Sequence, residues 1–185
     1  MDKTGLTLSF APLMNGQFGV SSVYGSFLAE AASHCLGCTN HVSPVLLEVT
    51  GDACSIWSLK WSEAVDVEDG TWADLQEATE YGAYGIAITV ALALTKTSRV
   101  ERSAKGTGID YWLGSGKDQR GIFQRTARLE VSGILNGDKR KIDARLKEKL
   151  AQTERSDQTQ LPAYVSIVEF GRPEATFVKV AARVE

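Results

Sequence analysis

Ala127-Arg128-Leu129-Glu130-Val131-Ser132-Gly133 reads as a strand with a carboxylate set inside an apolar run, and Gly108-Ile109-Asp110-Tyr111-Trp112-Leu113 reads the same way. A bare negative charge is costly to take out of water, so a carboxylate on a half-buried strand needs a partner. The polar stretch Gly114-Ser115-Gly116-Lys117-Asp118 lies between the two segments and reads as a turn. Antiparallel pairing across it brings Asp110 roughly opposite Glu130. Side chains alternate along a strand, so Arg128, Glu130 and Ser132 share one face. The simplest partner for two converging carboxylates is a hard divalent cation, Mg²⁺ or Mn²⁺. The plainer alternative is structural: Glu130 paired with Arg128, Arg125 or Arg120, and Asp110 accepting backbone N–H groups.

The flanking segments set the fold. Upstream, Thr71-Trp72-Ala73-Asp74 fits a capping box and opens a helix that runs to about Leu94. Ala78, Gly82 and Gly85 give it a small-residue face, expected to lie close against a neighbouring sheet. Glu77 and Glu80 fall near one face of this helix, and Glu80 is the better placed to add a third carboxylate. Arg99 to Arg102 reads as a further strand. Downstream, Gly137-Asp138 ends the second acidic strand. Lys139 to Gln152 is a basic amphipathic helix with Ile142, Leu146 and Leu150 at helical spacing. Glu154 to Gln160 reads as a polar linker, Ala163 to Phe170 as a strand, and Thr176 to Val184 as another.

The first 62 residues read as an extension: a strand over Thr4 to Pro12, a loop over 13–25, a short helix over Ser26 to Leu36, and a turn over Cys38 to Ser43. A hairpin follows, with strands Pro44 to Thr50 and Cys54 to Trp61 around Gly51-Asp52. Glu63 to Gly70 reads as an acidic loop. Strands clustered between single helices predict an α/β (α+β) fold, a central mixed sheet flanked by helices. A chain of 185 residues suits a single domain.

Composition narrows the function classes. At 43% hydrophobic and 23% charged the chain is neither disordered nor a coiled coil. A net charge of −3 gives no global attraction to nucleic acid, so such binding needs a local basic face. Lys139, Arg140, Lys141 and Arg145 are the candidates. Three cysteines argue against a disulfide framework. No signal-peptide pattern opens the chain and its longest apolar stretch, Tyr84 to Thr95, is too short for a bilayer, so a cytoplasmic protein without membrane contact is expected. His34, Cys35, Cys38 and His41 crowd into one short segment. With no second ligand pair elsewhere, zinc is not the expected cofactor.

A helix bearing Glu80 or Glu77, a strand with Asp110, a strand with Glu130, then a helix and a strand: this order resembles the PD-(D/E)XK nuclease superfamily. Leu129-Glu130-Val131-Ser132-Gly133 is similar to that family's apolar-Glu-apolar-Lys-Gly strand, with Ser132 in the lysine position. The resemblance covers about residues 71–170 and implies a restriction-endonuclease-like αβββαβ core. It implies Asp110 and Glu130 as metal ligands, Glu80 as a helper, and DNA or RNA as the partner. It also implies a Mg²⁺-dependent phosphodiesterase with a degenerate site, in which Lys105 or Arg128 supplies the missing cation. The alternative is an inactive nuclease-like binding or assembly subunit. A homodimer or larger assembly fits either reading.

Overall fold

The computed structural model describes residues 6–62, 70–117 and 122–181. These form one eight-stranded mixed sheet packed against four helices. In chain order the elements are β1 (Thr7–Ser9), α1 (Ala11–Met14), α2 (Ser22–Cys38), β2 (Val45–Gly51), β3 (Ser55–Lys60), α3 (Leu75–Leu94), β4 (Arg99–Arg102), β5 (Tyr111–Lys117), β6 (Phe123–Ile134), α4 (Lys139–Thr153), a 3-10 helix (Glu154–Thr159), β7 (Ala163–Glu169) and β8 (Glu174–Val180). The sheet order is β1-β3-β2-β8-β7-β6-β5-β4. From α3 to β7 the helix-strand-strand-strand-helix-strand order is the one expected. The N-terminal extension joins the same sheet through the parallel β2–β8 pair.

Strand patterning explains the layers. Odd positions of β6 (Ala127, Leu129, Val131) face the main core under α2 and α3, with Leu47 and Val49 of β2, Trp57 and Leu59 of β3, and Tyr111 and Leu113 of β5. The opposite face is covered locally by α4. There Ile142, with Leu146 and Leu150 against it, packs on Ile134, Val165 and Ile167. The parallel β6–β7 pair is thus covered on both faces, which is why β7 reads as a nearly continuous apolar run, whereas β6 alternates and places Arg128, Glu130 and Ser132 on the α4 side.

Several boundaries differ from the sequence reading, each for a local reason. α3 starts at Leu75, because Asp74 is itself the N-cap and accepts from the backbone N–H of Gln76 (2.8 Å) and Glu77 (3.2 Å). Thr71 lies outside the helix. β1 covers only Thr7–Ser9 of the strand expected over Thr4 to Pro12, and Pro12 sits in the first turn of α1; within 13–25, expected as loop, Ser21 caps α2 and the helix begins at Ser22. Residues 154–159 are helical rather than a free linker. β5 continues through Gly114 to Lys117, a stretch expected as turn, and Asp118, the last residue of that expected turn, lies outside the described residues. Residues 63–69 of the acidic loop expected over Glu63 to Gly70, and the chain beyond 181, also lie outside them.

The small-residue face of α3 meets a helix, not the sheet. A Cβ on Gly82 would sit 3.0 Å from the Ala32 backbone, and one on Gly85 would sit 3.0 Å from the Leu28 carbonyl oxygen, both on α2. The approach of α3 to the sheet is set instead at Gly133 of β6, where a Cβ would lie 2.3 Å from the Thr79 carbonyl oxygen.

Arg128 is the largest charged side chain in the interior. It is fully buried and donates to the carbonyls of Leu161 (2.9 Å) and Thr153 (3.0 Å), to Ser156 Oγ (2.9 Å), and to Asp157 Oδ1 (2.9 Å). It therefore clamps the 3-10 segment to β6 and is not available to Glu130. Removing one member of a buried charged network leaves the others desolvated, at a cost of about 3–5 kcal/mol. Arg128→Ala is expected to lower unfolding free energy by about that amount, measured by urea denaturation. A loss below about 1 kcal/mol would contradict the clamp.

Candidate functional site

Strand lengths create the site. β5 begins at Tyr111, paired with Leu129, whereas β6 runs on to Ile134. Past Leu129 the β5 side of β6 has no strand partner among the described residues, and this open edge lies between α3 and α4. A cavity of about 580 Å³ occupies it, with Glu80 and Tyr84 of α3, Asp110, Glu130 and Ser132, and Lys141, Arg145, Lys149 and Gln152 near or on α4 among its lining.

Asp110 stands where β5 begins. Its backbone N–H donates to the Leu129 carbonyl (2.9 Å), and its Oδ2 accepts from the Val131 N–H (2.9 Å), an edge donor that β5 no longer reaches. Its Oδ1 accepts from the Tyr84 hydroxyl (2.9 Å), which also lies 2.8 Å from Glu80 Oε1. One hydroxyl thereby ties Glu80 to Asp110. Glu130 is 1% exposed, and its Oε1 accepts from Lys149 Nζ at 2.6 Å. Its Oε2 is buried without a hydrogen-bond partner. Burial, then the neighbouring Asp110 charge, push the Glu130 carboxyl up to about 8, against the opposing pull of Lys149.

The structure brings together Glu80, Asp110 and Glu130 and keeps Lys105 apart. Lys105 is exposed in the β4–β5 turn and does not line the cavity. Lys149 stands at Glu130 instead. Ser132, in the expected lysine position, accepts from Arg145 Nη1 at 2.7 Å. Of the basic helix residues, Lys141 and Arg145 line the cavity, while Lys139 pairs outward with Asp143 (3.0 Å) and Arg140 is exposed outside the cavity. The sequence reading counts Lys149 in the basic run of this helix, mainly as a solvated face, and does not bring it to Glu130, although it follows Lys141 and Arg145 at the spacing of four that marks one helix face. The alternative partners of Glu130 are engaged elsewhere: Arg125 pairs with Glu101 (2.6 Å) and Arg128 with Asp157. Arg120 lies outside the described residues.

The oxygen-only donor set suits a hard cation. Among the described residues no three His, Cys, Asp or Glu side chains form a ready-made metal cage. Mg²⁺, however, is commonly held by one or two carboxylates, with water and substrate phosphate completing its shell. The raised Glu130 proton affinity, set by burial and by the Asp110 carboxylate against it, marks a place short of positive charge.

The His/Cys segment is divided by α2. Cys35 points into the core near Thr79 (4.0 Å), and burial pushes its thiol up to about 12. Cys38 Sγ lies 3.3 Å from His34 Nε2 on the outer side, and His41 Nε2 lies 3.1 Å from the Gly171 carbonyl. No helix among the described residues is long and apolar enough to cross a membrane. No family model, curated protein or solved structure matches the chain.

The Glu130 proton affinity predicts a pH signature. A carboxyl raised in the folded state stabilises the fold when protonated, and this contribution is lost as pH rises through the folded value of about 8. Metal-free wild type should therefore lose thermal stability relative to Glu130→Gln between pH 5 and 9, scanned by calorimetry, and added Mg²⁺ should reduce the gap. Parallel melting curves for the two proteins across that range would refute the assigned burial.

Proposed function

We propose that this chain is a nucleic-acid-binding phosphodiesterase of the PD-(D/E)XK type, with its lysine supplied from α4. The observation that carries the reading is the juxtaposition of Asp110, Glu130 and Lys149 at an open strand edge. Asp110 and Glu130 would hold Mg²⁺, which when bound polarises a phosphate and lowers the pKa of a water. The chain's own groups do the rest. Val131 N–H and the Tyr84 hydroxyl fix the Asp110 carboxylate, and Tyr84 links Glu80 to it. Lys149 offsets negative charge at Glu130 and presents an ammonium where charge develops on phosphate oxygens. Lys141 and Arg145 line the α4 wall and suit the non-reacting phosphates of a strand.

Asp110→Ala and Glu130→Ala are each expected to abolish Mg²⁺-dependent cleavage of labelled DNA and RNA oligonucleotides. Lys149→Ala should lower the rate by about 10²–10³, while Lys105→Ala leaves it unchanged. Cleavage retained in either carboxylate variant removes the assignment.

One observation favours the second reading, an inactive binding or assembly subunit. Lys149 and Arg145 already engage Glu130 and Ser132, so part of the site is closed by internal contacts. Titration calorimetry separates the readings. Mg²⁺ or Mn²⁺ binding that disappears in Asp110→Asn supports the phosphodiesterase, and no binding with no cleavage supports the inactive subunit.

A further inference from the structure

Tyr84 joins two places. Its hydroxyl reaches Glu80 and Asp110, while its ring face carries Arg102, whose guanidinium carbon lies 4.7 Å from the ring centroid. The same guanidinium lies 5.2 Å from the Tyr111 centroid. Its Nη1 donates to the hydroxyls of Tyr24 and Tyr111, the latter at 3.0 Å, and those two oxygens are 2.7 Å apart. Residues from α2, α3 and β5 thus grip one exposed side chain of β4.

What this grip leaves open is the informative part. Among the described residues Arg102 has no carboxylate within ion-pair distance. An arginine carries five N–H donors, and Nη1 holds two of them. The Nε–H and both Nη2–H groups meet no acceptor among the described residues. The tyrosine pair shares one hydroxyl proton, so the other hydroxyl proton is also left to donate. Pre-ordered guanidinium donors beside a hydroxyl donor match the oxygens of a phosphate. The ordering cost that normally weakens a surface arginine has been met in advance by two rings and two hydroxyls.

We propose that Arg102, held by Tyr24, Tyr84 and Tyr111, binds a non-reacting phosphate of the polynucleotide strand whose scissile phosphate sits at Asp110 and Glu130. The identity of that strand rests on the phosphodiesterase reading. Cations then meet the strand on both sides of the acidic centre: Lys141, Arg145 and Lys149 on α4, and Arg102 across Tyr84. Beyond Tyr84 the aromatic row continues through Tyr81 (6.0 Å between centroids) to Phe27 (4.8 Å further), and Phe27 is 36% exposed. Phe27 packs in turn on Trp72 (5.0 Å between centroids), so this row is a packed cluster that backs the Arg102 site.

The test is fluorescence anisotropy of labelled single-stranded DNA and RNA oligonucleotides in EDTA across a salt series, with Mg²⁺-dependent cleavage read separately. Arg102→Gln should weaken binding and reduce the slope of log K against log salt by about 0.7, one phosphate's share for a single strand. Arg102→Lys should keep the slope and lose part of the affinity. Tyr24→Phe should weaken binding with the slope unchanged. Arg102→Gln that melts like wild type and binds with an unchanged slope overturns the subsite, whether or not wild type cleaves. A reduced slope in a protein that never cleaves upholds the subsite and sinks the catalytic reading alone. If Arg102→Gln fails to fold, unchanged affinity in both Arg102→Lys and Tyr24→Phe overturns the subsite. So does wild type that binds neither oligonucleotide.

Discussion

Glu130 sits in the sheet interior with a second carboxylate beside it and one ammonium against it. Few arrangements are less favourable, since desolvation and like-charge repulsion act in the same direction. Lys149 meets Oε1, and the carboxyl also faces the Asp110 carboxylate. A protein under selection for stability alone would be better served by an apolar residue at this position. That the strand keeps a carboxylate here, beside an Asp110 that a backbone N–H and a tyrosine hydroxyl hold in place, is the constraint around which the neighbouring contacts are arranged.

The scaffold serves that constraint in physical ways. β6 outruns β5, which frees the Val131 N–H to hold Asp110 and leaves the edge open to a ligand. Gly133 lets the backbone of α3 come down on β6 at Thr79, so Glu80 and Tyr84 overhang that edge. An unpaired strand edge is ordinarily a liability for aggregation. Here it is narrow and roofed by two helices, and charged side chains line it.

Much of this was legible in the sequence, and the failures have identifiable causes. The order from α3 to β7 followed from periodicity, and the approach of Asp110 to Glu130 followed from strand alternation across a turn. Helix starts slipped because Asp74 and Ser21 are themselves caps, whereas the reading placed a cap at Thr71 and a loop before Ser26. The glycines of α3 correctly marked close packing, but a glycine face does not say whether a helix or a sheet fills it. Lys149 as the partner of Glu130 was missed for a deeper reason. A strand motif looks for its lysine two residues along the strand, whereas Lys149 arrives from another element through the docking of α4. Nothing local to Glu130 announces that contact. Arg128 misled in the opposite direction: it shares the face of Glu130, yet the carbonyls of Leu161 and Thr153 and the Asp157 carboxylate claim it.

Placing the cation on a helix has a consequence for how the site is held. A lysine on β6 would be fixed by the same backbone that fixes Glu130. Lys149 is fixed only as well as α4 is docked. That docking rests on a small cluster, Ile142 with Leu146 and Leu150 against Ile134, Val165 and Ile167. It also rests on Arg128, which ties the Thr153 carbonyl and the 3-10 segment just past α4 to β6. The buried arginine and the cavity lysine are therefore parts of one device. Arg128 holds the C-terminal end of the helix whose last turns carry Lys149, and a loosened clamp would withdraw positive charge from Glu130. Charge balance in the cavity is thus set by packing behind it, and the single residue Ser132 reports little about whether the site can work.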